Sequence, residues 1–255
     1  MSDRITLSAT FWVRVAVVLP AALLLHYALD GWLNLRDDTG NVAAFVTAVG
    51  TLYSVLTAFT VISVWTEFIE TDRVVQREAR ELGELWRYVG YVSDQEGARK
   101  ARVTIERYRD EVVATEWPAM AVGRTAPWAE DQFIDMVDAV NAIDVVTAKD
   151  VPAWTEATRT LGALSESRGS RVVLLTLRMP RVLRLLLYLA NASLVGGMLL
   201  LGFDSDFVAG LLVGCTVVVS LLVLEVIDDI DNPFGGAWGV SPEPFREALA
   251  RHPVG

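Results

Sequence analysis

The sequence VAAFVTAVGTLYSVLTAFTVISVW, residues 42–65, runs directly into TEFIETDRVVQREARELGELW, residues 66–86. The first part is long and apolar enough to cross about 30 Å of hydrocarbon as a helix. Neither glycine nor proline interrupts the junction between the two parts. The pattern therefore predicts one helix that starts in a membrane and continues in water, and we expect the rest of the chain to pack around it.

The composition places the chain among membrane proteins. Hydrophobic residues make up 53% of its 255 residues, and the mean hydropathy is +0.37, which is too apolar for an ordinary soluble domain. Charged residues still account for 21%, so charged and apolar side chains must be segregated along the chain. Four apolar runs lie toward the two ends, and nearly all the charge lies between them.

Several classes of function are excluded by the sequence. The net charge is −10, which excludes a nucleic-acid partner, since such binding needs a clustered basic surface on a positively charged protein. Cys215 is the only cysteine, and His26 and His252 are the only histidines, so we expect no metal site and no cofactor. The motifs of hydrolases, metalloproteases, phosphate loops and dinucleotide folds are missing, and we predict that the protein is not an enzyme.

The four apolar runs have the length of membrane-spanning helices. A cleavable signal peptide is the alternative for the first run, but no small-residue cleavage site follows it. We predict an all-α fold, that of a polytopic membrane protein with four transmembrane helices and a helical insertion between the second and the third. The predicted spans cover residues 10–29, 42–65, 182–203 and 207–227.

Lysine and arginine are distributed unevenly around these spans. Seventeen of the 22 lie between Arg73 and Arg184, and the turn between spans three and four has none. Because positive residues stay on the cytoplasmic side, we predict that the insertion and both termini are cytoplasmic and that the protein lies in the inner (plasma) membrane. The predicted domains are transmembrane helices 1 and 2 at 1–65, a cytoplasmic helical domain at 66–180, transmembrane helices 3 and 4 at 181–230, and a cytoplasmic tail at 231–255.

Three further helices are predicted inside the insertion. Ser93 or Asp94 is expected to cap the first, and Trp117-Pro118 to end it, since the residue before a proline disfavours helix. Asp150 is expected to cap the third. The predicted ranges are about 95–116, 128–147 and 150–164.

Isolated charges and a proline near the membrane have more than one interpretation. Arg14 lies one turn inside span one, where its side chain either reaches the lipid headgroups or lines an ion path. Pro20 predicts a kink in the same span. The basic run from Arg168 to Arg184 is either an anchor against anionic lipid or a specific anion site. The carboxylate pairs are interpreted as solvated surface: Asp135 with Asp138, and Asp228 with Asp229.

Span two is rich in hydroxyl and small side chains. Thr47, Thr51, Ser54 and Ala58 follow a 4-3-4 spacing, which places them on one helix face. Such a face suits close helix packing in lipid and equally suits a water-lined pore. Glu67 and Glu70, just beyond the span, are either an ordinary helix end or a ring of carboxylates at a pore mouth.

Four motifs in combination carry a family resemblance. Span two has the pattern YxxLxAFxVxxVW between Tyr53 and Trp65 and continues into FIETDRVVQREARELGELW. EWPAM occupies residues 116–120, and SPEPF occupies residues 241–245. After span four comes an NPFG motif, formed by Asn232, Pro233, Phe234 and Gly235. These motifs resemble the bestrophins, and most closely a bacterial bestrophin-like family of unknown function.

The resemblance implies a homo-oligomer, a pentamer if it follows the bestrophins, in which the second spans line a pore for small ions through the lipid bilayer. An apolar neck of this kind gates by dewetting. The expected pore and neck residues are Ser54, Ala58, Phe59, Ile62 and Trp65, with Glu67 and Glu70 at the pore mouth.

The sequence departs from the calcium-gated bestrophins after NPFG. Those proteins have an acidic run there, whereas residues 236–240 are GAWGV and offer no carboxylate oxygen as a calcium ligand. We therefore expect no calcium gating. The predicted function is a bestrophin-like ion channel that is cation-leaning or weakly selective, and the alternative is a non-conducting membrane scaffold or regulatory protein with the same fold.

Overall fold

The computed structural model describes residues 9–32, 39–201, 203 and 205–250, and the described part is helical throughout apart from short connections. The helices are α1 (Ala9–Trp32), α2 (Thr39–Tyr88), α3 (Gln95–Glu111), α4 (Trp117–Ala121), α5 (Pro127–Asn141), α6 (Asp150–Thr176), α7 (Arg181–Leu199), α8 (Asp206–Ile230) and α9 (Glu243–Ala250).

Four of these helices, α1, α2, α7 and α8, are long and apolar enough to cross a membrane. This confirms the prediction of four spans within an all-helical fold. The chain divides into two compact units. The membrane unit comprises Met1–Thr66 and Met179–Asp231, and the helical unit comprises Glu67–Arg178 and Asn232–Gly255.

Helix α2 is continuous over 50 residues, as its sequence predicts. It ends at Tyr88, and a single 3₁₀ turn, Val89–Tyr91, follows. The side chain of Asp94 then accepts a hydrogen bond from the backbone N–H of Gly97 at 2.9 Å, which caps α3. This bond and a second one from the N–H of Asp144 lower the pKa of the Asp94 carboxyl.

The core of the helical unit is built around the buried apolar face of α2. Leu82, Leu85 and Val89 have no exposed surface, and they belong to one cluster with Met136 and Val140 of α5. These positions recur at helical spacing, so that each helix turns one face inward. Both helices therefore contribute one apolar face to this core.

Three helix boundaries differ from those predicted. The chain does not leave the helix at Trp117-Pro118: a π-turn, Val112–Glu116, joins α3 to α4 and carries the helix through Pro118. A π-turn suits this place, because proline offers no N–H for the usual bond to the fourth preceding carbonyl. Helix α5 ends at Asn141 rather than near 147, and α6 continues past 164 to Thr176.

Asp150 is also placed differently from the prediction. It is the first residue of α6 rather than the residue before it. Its carboxylate accepts hydrogen bonds from the hydroxyl of Ser93 at 2.7 Å and from the N–H of Thr147 at 2.8 Å. The Ser93 hydroxyl is the main cause of the lowered pKa of this carboxyl. Asp150 therefore links the connection before α3, at Ser93, to the connection before α6, at Thr147, instead of capping its own helix.

The membrane unit is held by apolar contacts and a few polar bonds. Ala22 of α1 packs with Val213 and Val217 of α8 in one buried cluster. The amide of Asn191 donates to the hydroxyl of Tyr53 at 3.0 Å, and both side chains are buried. A buried amide in a span stabilises helix packing when it finds such a partner.

Arg14 does not act as an isolated basic anchor. Its guanidinium lies 2.9 Å from the carboxylate of Glu225 on α8. Helix α1 also runs through Pro20 from Ala9 to Trp32. The ion pair offsets part of the cost of placing a charge in an apolar span.

Helix α9 approaches α2 closely at Gly83. A Cβ atom built on Gly83 would lie 2.7 Å from the backbone carbonyl oxygen of Ala248. Because backbone cannot give way as a flexible side chain does, we expect Gly83→Ala to lower the free energy of unfolding by about 1–3 kcal/mol. Thermal unfolding of the purified protein measures this. Gly162→Ala, where the added Cβ meets nothing within 4 Å, is the control and should not destabilise.

Candidate pore face and the buried ion-pair network

An apolar face of α2 is left exposed within the single chain. Leu52, Val55, Phe59 and Ile62 have exposed fractions of 63%, 50%, 71% and 62%. Their 3-4-3 spacing places them on one side of the helix. We call these four residues the apolar stripe.

The opposite side of α2 faces the membrane unit. Tyr53, Thr60 and Val64 are buried. Their spacing of seven and four residues aligns them along one line of the helix. This buried line marks the side of α2 that packs against the rest of the membrane unit.

The predicted neck residues all lie away from that buried line. Ser54 and Ala58 are exposed, and so are Phe59, Ile62 and Trp65. They spread over a broad arc of the helix rather than one narrow line, because Phe59 and Ser54 are five residues apart and point in different directions.

Three hydroxyl groups on the exposed side of α2 bond to their own helix. Thr47, Thr51 and Ser54 donate to the carbonyls of Ala43, Thr47 and Thr51, each at 2.8 Å. Such bonds within one helix are the usual way in which hydroxyls are satisfied in apolar surroundings. These hydroxyl groups therefore have hydrogen-bond partners without a second helix. The exposed surface of α2 is dominated by apolar side chains.

The two carboxylates beyond the span are exposed. Glu67 and Glu70 both lie on the surface of α2. Glu70 lies 3.7 Å from the guanidinium of Arg73, and both side chains are at least half exposed. Such a pair contributes little stability, so that these charges are available to an aqueous path.

The NPFG motif forms a folded corner in the helical unit. The side-chain oxygen of Asn232 accepts a hydrogen bond from Arg178 at 2.7 Å. The carbonyl of Pro233 accepts from the N–H of Val240 at 2.7 Å. Phe234 is buried with its ring edge-on to Trp117, 5.4 Å between centroids.

Gly235 is required at this corner by close packing. A Cβ atom there would lie 2.7 Å from the carbonyl oxygen of Ala121 and 2.3 Å from the side chain of Asn232. Gly236 adopts a φ of +76°, a conformation that glycine adopts without strain. The motif therefore has a packing role in this chain.

A second group of side chains was missed by the sequence reasoning. Arg171 of α6 is fully buried, and its guanidinium bonds two carboxylates. The Nε atom lies 2.6 Å from Glu78 of α2, and Nη2 lies 2.7 Å from Glu116 of the π-turn. Charge-assisted bonds of this kind are the strong ones.

Arg168, one turn earlier on α6, completes this group. Its Nη1 atom lies 3.2 Å from Glu116 and 3.2 Å from the hydroxyl of Tyr108, and Nη2 lies 3.0 Å from Glu130. We call Glu78, Glu116, Arg168 and Arg171 the ion-pair network. It holds two positive and two negative charges in a buried place, so that its net charge is zero.

Aromatic rings surround the ion-pair network. Arg168 lies over the rings of Tyr108 and Phe133, and Arg171 lies near Trp117 and Phe245, at 5.4–6.0 Å from the centroids. Burial raises the pKa of the Tyr108 hydroxyl well above its usual range. The neighbouring Glu78 carboxylate acts in the same direction. The hydroxyl therefore remains protonated and donates to Glu78 at 2.7 Å.

Glu81 lies one turn from Glu78, and its carboxylate is only partly hydrogen-bonded. One of its carboxylate oxygens is buried and has no hydrogen-bond partner among the described residues. Burial raises the pKa of this carboxyl, against the opposing effects of the Ser167 hydroxyl and Arg77.

These positions correct two expectations. Arg168 and Arg171 do not anchor the chain to lipid, because both are buried in the helical unit. Asp228 is not simply solvated: it accepts a hydrogen bond from the hydroxyl of Tyr188 at 2.7 Å, and Arg184 bonds to Asp231. Asp135 and Asp138 are exposed, as predicted.

One sequence signal could have revealed the network. Val75, Ala79 and Leu82 define the inward stripe of α2, and Glu78 falls on the same face by spacing. A carboxylate in a buried stripe requires a partner. The partner itself could not be found in this way, because Arg171 is 93 residues away in the chain.

Comparisons with known proteins agree with this architecture. A family model described as a bestrophin-like domain matches residues 14–245. A crystal structure of a bacterial bestrophin homologue from Klebsiella pneumoniae, in a single-substitution variant, superposes with a TM-score of 0.75 at 12% identity, covering 94% of this chain and all of that one. A second structure of that homologue, phased with zinc, has a TM-score of 0.71 at 14% identity and covers 91% of this chain and 96% of that one. No curated protein matches.

Proposed function

Because the chain belongs to the bestrophin-like family, whose model spans residues 14–245, we propose that it is a homo-oligomeric ion channel whose pore is lined by α2. A pore of this kind needs several copies of the chain, and we propose a pentamer. Its partners are the lipid bilayer, further copies of itself and the small ions that pass.

The exposed apolar stripe of α2 is the observation that carries this proposal. A helix that presents Leu52, Phe59 and Ile62 on one face needs either lipid or another protein surface there. In a ring of α2 helices the apolar stripe would form an apolar neck. Such a neck blocks ions when water leaves it and lets them pass when it is filled with water. The Tyr53–Asn191 bond on the opposite side supports this orientation, since it ties α2 to α7 of the same chain.

The exposed carboxylates support a preference for cations. Glu67 and Glu70 follow the apolar stripe directly along α2 and are exposed. Symmetry would repeat each of them around a ring, and rings of carboxylates concentrate cations. The net charge of −10 acts in the same direction.

The orientation follows from the basic residues next to the spans. Arg73 and Arg77 follow α2's apolar part, and Arg181 opens α7. Positive residues close to a span remain on the cytoplasmic side. We therefore propose that the helical unit and both termini are cytoplasmic and that the protein lies in the inner (plasma) membrane.

The oligomeric state of detergent-purified protein, with an image average along the symmetry axis, tests the proposal. A ring with α2 innermost, followed by current across a bilayer under a KCl gradient, is the expected result. A monomer or dimer without a central axis would contradict the pore. A ring that carries no current would favour the alternative, a non-conducting membrane scaffold.

Glu67→Gln is expected to weaken the preference for cations. An exposed carboxylate attracts a nearby monovalent cation by about 1 kcal/mol, so we expect the permeability ratio of potassium over chloride to fall about fivefold. The reversal potential under a KCl gradient measures this ratio. Glu96→Gln removes a carboxylate that is also exposed, on α3, where Glu96 pairs with Arg99, and should leave the ratio unchanged. An unaltered reversal potential for Glu67→Gln would place Glu67 outside the ion path.

A further inference from the structure

We propose that the ion-pair network is a positioning device that fixes the rotation of α2 about its own axis, and thereby decides which side chains of α2 face the pore. The inference rests on the proposed function for its consequence, because the rotation matters only if α2 lines the pore. Its residues are positioning residues, since none of them lies on the exposed face of α2.

The placement of Glu78 on α2 is the first step. Glu78 follows Thr60 by eighteen residues, which is about five full helical turns. Both side chains are buried, and both therefore point from the same side of the one continuous helix. Phe59 lies one residue from that line and is exposed. A contact that holds Glu78 in one direction therefore also determines the direction of the apolar stripe.

The bonds to Glu78 are the second step. One carboxylate oxygen accepts from Nε of Arg171 at 2.6 Å. The other accepts from Nη2 of Arg171 at 3.1 Å and from the hydroxyl of Tyr108 at 2.7 Å. The Arg171 fork binds both oxygens, and such a pair has a required geometry. Apolar contacts are less directional than such bonds, so that the leucines of α2 select the buried face, whereas the Glu78–Arg171 pair sets its angle more narrowly.

The surroundings of Arg171 are the third step. Its remaining N–H groups reach Glu116 at 2.7 Å and the sulfur of Met120 at 2.9 Å. Glu116 is held in turn by Arg168. The guanidinium is therefore held from α2, the π-turn and α4 at once, and it cannot follow a rotation of α2. Buried ion pairs are best attested as devices that specify register rather than as sources of stability.

The charge balance makes the proposal testable. Glu78 and Arg171 form one half of the network, and Glu116 and Arg168 form the other. Glu78→Met combined with Arg171→Met removes one positive and one negative charge together. Replacing a whole buried pair by apolar side chains of similar size is often neutral for stability, whereas the directional bond to α2 is lost.

The experiment reads the rotation of α2 directly. The full-length protein carries Cys215→Ser and a single added cysteine, either Ile62→Cys on the apolar stripe or Val64→Cys on the buried line. Each form is reconstituted in liposomes and treated with a membrane-impermeant thiol reagent, with and without the paired methionine substitutions. In the intact network we expect the cysteine at 62 to react and the one at 64 to be protected. With the paired methionine substitutions, we expect the ratio of the labelling rate at position 62 to that at position 64 to fall by about threefold or more. Couplings carried by packed networks are of this size.

A matched control removes an exposed pair from the same unit. Glu243 and Arg246 lie 3.0 Å apart on α9, and both are more than half exposed. Glu243→Met with Arg246→Met should leave both labelling rates unchanged. Glu78→Gln is the milder second variant: it keeps the size of the side chain and removes its charge, and we expect a shift in the same direction.

Three results would overturn the proposal. The first is an unchanged labelling pattern in a correctly assembled double variant. The second is the same shift in the control pair. The third is loss of assembly in both the double variant and Glu78→Gln, which would assign the network to folding alone. Labelling does not need conduction, so a shift in a protein that carries no current would support the positioning role while refuting the channel.

Discussion

Replacing Arg171 with methionine is expected to lower the free energy of unfolding by about 3–5 kcal/mol. The reason is that Arg171 is the cation bonded to Glu78, so that the Glu78 charge remains buried without its counterion while Glu116 keeps Arg168. Arg171 has no exposed surface, so that water does not replace the lost partner. Thermal or denaturant unfolding of the detergent-purified protein, followed by circular dichroism, measures the loss.

Arg159→Met is the matched control for Arg171→Met. Arg159 lies on the same helix and also pairs with a carboxylate, Glu156 at 2.8 Å, but both side chains are substantially exposed. Exposed pairs contribute about 0–1 kcal/mol, and we expect a loss within that range. A cost for Arg171→Met as small as that of the control would mean that water reaches the network and stabilises the Glu78 carboxylate in place of Arg171.

The second large effect is expected on conduction. Phe59→Ala removes the largest side chain of the apolar stripe, and its ring is 71% exposed in the single chain. In a ring of α2 helices this substitution widens the neck and weakens the dewetting barrier. A barrier lower by about 1 kcal/mol raises the rate of passage about fivefold. Single-channel current in a planar bilayer measures the change.

Phe207→Ala provides the comparison for Phe59→Ala. Phe207 is 79% exposed at the start of α8, so that the two substitutions remove the same group from similarly exposed positions. Phe207→Ala should not alter the current. Equal currents for Phe59→Ala and the unmodified protein would place Phe59 outside the neck, and the lipid-facing side of α2 would then include the apolar stripe.

Much of the helical architecture could be predicted because it depends on local patterns. The four spans follow from the length of the apolar runs. The continuity of α2 follows from the lack of a helix breaker at the junction near Trp65, and its inward stripe follows from the spacing of Leu82, Leu85 and Val89. Each of these features is determined by residues close together in the chain.

Other features could not be predicted from local patterns. Pro118 was expected to end a helix, but the π-turn before it gives the chain another way to continue. Arg168 and Arg171 open a basic run that the sequence leaves as either an interfacial anchor or a specific anion site. Both are buried instead, since the carboxylates that neutralise them come from other helices.

The sequence by itself determined the fold class, the membrane spans and the one long helix. These depend on hydropathy, periodicity and helix breakers, which act over short distances along the chain. Only the tertiary structure decided which face of the membrane-spanning part of α2 is buried, where Asn232 and Gly235 pack, and how Glu78 meets Arg171. The physical reason is that a buried charge is stable only beside a counterion, and the counterions here are brought together from distant parts of the chain by folding.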